Sequence, residues 1–120
     1  MKQPTHRSLA LLREMGYRAQ VVERWNHFAH VRQDLFGVID IVAIGYQRIV
    51  GIQATTMDNM SKRLEKARAS GELKDWIEAG AAFEVWGWGL QGPRGKRKLW
   101  TCRMVRVHAD GTHHELPRKR

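Results

Sequence analysis

A single cysteine, Cys102, in 120 residues excludes an internal disulfide and any zinc site built on several cysteines, and it suits a reducing interior. Only three prolines stand against five tryptophans, and 42% of the residues are hydrophobic, a balance foreign to disordered chains. No apolar run approaches the roughly 18 residues that a membrane span needs, and no stretch reads as a signal peptide. The expectation is a soluble, cytoplasmic protein with no membrane partner. The length suits one domain with a real core, and neither a repeat nor a low-complexity linker divides it.

Acidic residues are also scarce: twelve stand against 21 Lys and Arg, for a formal net charge of +9. Their distribution matters more than their number. Residues 34–60 carry three acids and one base, whereas residues 1–33 carry two and six, and residues 81–120 three and nine. An acidic island in a basic chain suits a protein whose flanks grip phosphates while central carboxylates hold a divalent cation. The competing reading is charge that serves solubility alone.

The island contains two apolar runs, each broken by one polar residue. Val38 to Ile44 (VIDIVAI) is rich in β-branched residues and reads as a strand, and Arg48 to Thr55 reads as a second. The connector Gly45-Tyr46-Gln47-Arg48 has the length of a hairpin loop. Whether two or four of its residues form the loop, Ile44 faces Ile49 and Asp40 faces Gln53, with Thr55 on the same face as Gln53. Directly opposed side chains lie roughly 4.5–5.5 Å apart at Cβ, close enough to share one ion. The residues around Asp40 are apolar on both faces, so its carboxylate needs a partner.

Elsewhere the pattern predicts a helix over Thr5 to Met15, capped by Thr5 and stopped by Gly16, and then an alternating strand from Tyr17 to Trp25. Asn26 to Gln33 reads as a loop carrying His27, His30 and Arg32. Asp58 or Asn59 caps a helix to about Ala69 with Met60, Leu64 and Ala67 inward, and a second helix ends at Gly80. Ala81 to Trp88 reads as a buried strand with Trp86 and Trp88 in the core. Gln91 to Lys98 reads as a phosphate-contact loop, Leu99 to His108 as a strand, and His113 to Leu116 as a short final strand after a turn. His113 and Glu115 share a face and are a weak ligand pair. The expected domain is residues 1–116, followed by a mobile basic tail at 117–120.

This order is an α-β-β-β-α-β core, an α/β (α+β) fold with a mixed central sheet flanked by helices. With Asp40 on the second strand and Gln53 and Thr55 on the third, the chain resembles the PD-(D/E)XK nuclease superfamily, in particular the small archaeal and phage Holliday junction resolvases and VRR-NUC-like nucleases. The likeness covers about the first 90 residues in topology and Asp34 to Thr56 in motif. It implies a restriction-endonuclease-like fold and a Mg²⁺- or Mn²⁺-dependent endonuclease acting on DNA, branched or duplex, often as a homodimer, in the cytoplasm or in that of a phage's host. It places Asp40 at the motif aspartate, Gln53 at the D/E position, Thr55 at the lysine position, and the Ala54 carbonyl as a further ligand.

The chain departs from the pattern in that Gln53 is neutral and Thr55 lacks the lysine's charge. Asp34 becomes the candidate extra carboxylate and Lys62 the candidate substitute cation. Arg32, Lys62, Arg63, Lys66, Arg94, Lys96, Arg97 and Lys98 are the candidate backbone contacts. The alternative is a catalytically weak or inactive nucleic-acid-binding protein on the same fold, and a structural or adaptor protein is the third class.

Overall fold

In the computed structural model, which describes residues 3–120, the first helix, α1 (Pro4–Glu14), has Gln3 at its cap position in place of the expected Thr5. Pro4 occupies the first turn, where a missing N–H is no loss and φ is preset. Gly16, at φ +100°, lets the chain leave the helix and enter a strand within two residues. Leu11 and Leu12 face inward, and Ser8 Oγ accepts a hydrogen bond from the Trp88 indole at 2.9 Å.

The strand expected over Tyr17 to Trp25 is cut in two. β1 (Arg18–Val21) ends early, and β2 (Arg24–Asn26) pairs with β3 (Val31–Gln33) in a separate antiparallel hairpin, so the expected loop is largely strand and turn. The cut has a tertiary cause. The Val22 N–H donates to the Asp40 carbonyl at 2.8 Å, one step further along the β1–β4 register, and the Glu23 N–H shares that same carbonyl at 3.3 Å, which takes the chain off the ladder. Asn26 Oδ1 shapes the hairpin tip by accepting from the N–H groups of Phe28 and Ala29 at 2.9 and 3.0 Å.

β4 (Ile41–Gly45) and β5 (Arg48–Thr56) form the expected hairpin, with Ile44 facing Ile49 and Ile41 facing Ile52. The loop is the two-residue form. Tyr46 and Gln47 have φ of +53° and +64°, the type I′ geometry whose twist matches that of the strands. The Tyr46 hydroxyl donates to the Met15 carbonyl and ties the turn to the end of α1. β4 starts three residues later than expected. Leu35 to Ile39 closes instead into a turn in which both Phe36 and Gly37 are left-handed, so Asp40 stands just outside the ladder.

A 3₁₀ turn (Met57–Asn59) then leads into α2 (Met60–Arg68) and α3 (Gly71–Glu78). Asn59 holds the cap position of α2 without a side-chain bond, and Asp58 lies in the 3₁₀ turn. At α3, Ser70 Oγ accepts from the Leu73 N–H at 3.1 Å. This crossover brings β6 (Ala82–Gln91) parallel to β5. β7 (Leu99–Val107) and β8 (His113–Lys119) follow antiparallel, giving a six-stranded mixed sheet in the order β1-β4-β5-β6-β7-β8.

Leu11 and Leu12 of α1 pack on one face against Ile41, Ile52, Trp86 and Trp88. Met60, Leu64 and Leu73 of α2 and α3 pack on the other against Ile39, Phe83, Val85 and Val105. Gly87 lets α2 sit close to the sheet, because a Cβ there would overlap the Met60 thioether.

Residues 117–119, expected in a mobile tail, continue β8. The ladder slips by one residue between Cys102 and Met104, leaving an extra residue on β8 beside Pro117. A proline is tolerated at such a bulge on an edge strand because no ladder bond is required of it.

Candidate metal centre

Asp40 is only 4% exposed, and its carboxylate is held by two donors on β5. Oδ2 accepts from Gln53 Nε2 and from the Ala54 N–H, both at 2.9 Å. The facing of Asp40 and Gln53 expected from the turn is therefore present as a hydrogen bond. Gln53 and Ala54, expected to offer oxygens to a cation, meet Asp40 through nitrogen. A buried carboxylate draws the nearest donors, and the amide and the backbone N–H are those donors.

Two more carboxylates approach. One oxygen from each of Glu23, Asp34 and Asp40 lies within 4.8 Å of the others. Glu23 immediately precedes β2 and Asp34 immediately follows β3, so each foot of the small hairpin ends on an acid of the cluster. Asp34 is thus where the sequence reading puts it. Glu23, which that reading places mid-strand, enters because β1 stops two residues before it.

The cluster has an electrostatic consequence. Burial, then the hydrogen bond and negative charge of Asp34, push the Asp40 carboxyl up from 3.8 to about 8, and Glu23 adds a smaller push. The Ala54 N–H pulls the other way without prevailing. With no cation present, Asp40 keeps its proton at neutral pH.

An open cleft of about 710 Å³ adjoins the cluster, with Arg24, Arg32, Asp34, Phe36 and Lys66 in its walls. Arg32 Nη1 lies 3.5 Å from Glu23 Oε1. Lys66, one turn beyond Lys62, is the lysine at the wall, whereas Lys62 is exposed and lies outside the lining. The rotation of α2 after its 3₁₀ turn decides which of the two faces the cleft. Thr55 is buried on the same face as Gln53, two residues along β5, and brings no charge.

Arg63 is half-buried on α2, and Arg94, Lys96, Arg97 and Lys98 are exposed between β6 and β7. Neither these five nor Lys62 and Lys66 enter an ion pair among the described residues. Gln53 stands level with Val85, and β6 runs on to Gln91. The basic loop therefore projects from the same end of the sheet, about 20 Å further along the strand direction.

The histidine candidates do not join the centre. His113 Nδ1 meets Arg68 Nη2 at 2.6 Å, and Glu115 pairs with Arg103 at 2.6 Å. A second, more enclosed pocket of about 350 Å³ lies on the α1 face around Trp86, Arg48 and the Glu84–Arg106 pair. Glu84 there is satisfied by Arg106 at 2.6 Å and by the Trp86 indole at 2.9 Å, so this carboxylate is structural. Comparison of the chain with family models, with curated proteins and with solved structures gives no match.

Proposed function

We propose that the chain is a divalent-metal-dependent endonuclease hydrolysing DNA phosphodiesters, on a restriction-endonuclease-like core. The observation that carries this reading is the convergence of one oxygen each from Glu23, Asp34 and Asp40 within 4.8 Å of one another, with Asp40 buried and its carboxyl pushed up by that burial and by Asp34. An all-oxygen donor set suits a hard cation such as Mg²⁺ or Mn²⁺. The topology supports the same reading. α1, an antiparallel β1-β4-β5 meander and a helical crossover to a parallel β6 have the order of the α-β-β-β-α-β core.

Glu23, Asp34 and Asp40 would hold the ion. Gln53 and the Ala54 N–H orient Asp40, which gives up its proton on loading. Arg24, Arg32 and Lys66 hold the phosphate backbone in the cleft without reading bases, and the 94–98 loop extends that grip along the strand. A divalent cation held by these three carboxylates would supply Lewis acidity toward a phosphate and would lower the pKa of a water. A second reading, binding without cleavage, is favoured by two observations: Thr55 stands where the resemblance expects a lysine, and Gln53 turns nitrogen to Asp40.

Incubation with linear and branched DNA in Mg²⁺, Mn²⁺ or chelator, alongside Asp40→Asn and Asp34→Ala, separates the two. Metal-dependent cutting lost in both variants supports the nuclease. Salt-sensitive binding without cutting supports the second reading.

A further inference from the structure

The β2–β3 hairpin spends its most apolar side chain on solvent. Phe28, at the tip, is 99% exposed, and Trp25 on the flank is 47% exposed with its ring edge-on to His30, centroids 6.3 Å apart. Burying a phenylalanine stabilises a fold, and this position forgoes that burial. The tip is nonetheless shaped, because Asn26 Oδ1 accepts from the Phe28 and Ala29 N–H groups and His30 is held at φ +54°. The two strands pair only with each other, so the hairpin stands clear of the main sheet.

Its surroundings select a partner. Residues 24–33 (RWNHFAHVRQ) contain two arginines, two histidines and no acid. Phe36, at φ +53° and 48% exposed, is a third exposed aromatic ring, in the wall of the neighbouring cleft and tilted against Trp76, in a backbone conformation that bulky residues rarely adopt. Exposed rings among cations suit stacking on nucleobases beside a phosphate backbone. A concave cleft at the hairpin's base suits a strand better than a flat anionic membrane.

We propose that the β2–β3 hairpin stacks Phe28 on an unpaired nucleobase, so that the substrate class of the adjoining carboxylate centre is DNA with unstacked bases, single-stranded or at a single-strand–duplex junction. This rests on the nuclease reading for the centre, though not for the binding. Each strand of the hairpin is three residues long, about 10 Å, and its feet are Glu23 and Asp34. A base held at the tip fixes a phosphodiester a few nucleotides away, at the carboxylates.

The test is fluorescence anisotropy in chelator with three labelled DNAs: a blunt duplex, the same duplex with a single-stranded overhang, and the single strand. Phe28→Ala is expected to weaken binding to the latter two by about 5- to 150-fold, to leave the duplex within twofold and to leave the melting temperature unchanged, while Phe28→Trp restores binding. Equal loss on all three DNAs, or no loss, overturns the proposal. So does a fall from dimer to monomer in light scattering, which would make Phe28 a contact between copies. Phe28-dependent binding of anionic vesicles with DNA binding unchanged also overturns it. Wild-type protein that fails to cut in Mg²⁺ yet shows the Phe28 effect overturns the nuclease reading and leaves the hairpin's role intact.

Discussion

Replacing Asp40 by asparagine removes an ionisable group while keeping a shape. The amide oxygen can accept from Gln53 and the Ala54 N–H as Oδ2 does, and the amide nitrogen can face Asp34 as the protonated carboxyl does. The sign of the effect follows from linkage. Asp40 ionises near 3.8 in the unfolded chain and near 8 in the folded one, so between those values the folded state holds a proton that the unfolded state has released. Stability is then full below about pH 4 and is lost progressively as pH rises to 8. Each pH unit in that window is worth about 1.4 kcal/mol, so metal-free wild type loses on the order of 4 kcal/mol between pH 5 and 8 through this group. Asp40→Asn lacks the group and the loss. Urea unfolding in chelator at pH 5, 6, 7 and 8 measures both slopes, and the variant is expected to be the more stable protein at pH 8. Millimolar Mg²⁺ then stabilises wild type and not the variant. A wild-type profile no steeper than the variant's refutes the reasoning.

Metal loading must expel the Asp40 proton, so Mg²⁺ binding at pH 7 releases close to one proton per ion and almost none at pH 9; calorimetry in buffers of different ionisation enthalpy measures this, and zero release at pH 7 contradicts the assignment. Gln47→Gly relieves a left-handed residue in the β4–β5 turn and is expected to stabilise by about 0.5–1 kcal/mol, read as a raised denaturation midpoint. Gly87→Ala drives a methyl into Met60 under α2 and costs about 1–3 kcal/mol in the same assay; a neutral result means that α2 can shift freely. Arg106→Ala leaves the buried Glu84 with only the Trp86 indole and costs about 3 kcal/mol, with a smaller loss for Glu84→Gln.

Where the determinants are local, the sequence reading agrees with the structure. The β4–β5 register follows from a two-residue loop and brings Asp40 to Gln53, and the inward stripe Met60, Leu64, Ala67 follows from helical period. The separate β2–β3 hairpin carries no glycine or proline to announce its turn. Its available signal is Asn26, whose side chain makes the turn in place of a backbone preference. Glu23 joins the cluster because its N–H shares with that of Val22 the carbonyl of Asp40, far along the chain, a tertiary event with no local pattern. Which of Lys62 and Lys66 faces the cleft depends on how α2 is rotated on the sheet, and helical period leaves that angle free. Pro117 reads as a strand stop, and only the bulge on an edge strand accommodates it.

The two feet of the β2–β3 hairpin make the centre separable from the fold. Asp40 is anchored to the sheet, whereas Glu23, joined to it by one backbone bond to the Asp40 carbonyl, and Asp34 lie at the feet of a clip whose strands pair only with each other. That clip can open at less cost than global unfolding. An ion that bridges all three would act as a latch, so amide exchange across residues 24–33 becomes a direct gauge of occupancy. If a ligand at the far end of the clip changed the affinity for such an ion, the ion would change the affinity for that ligand by the same factor.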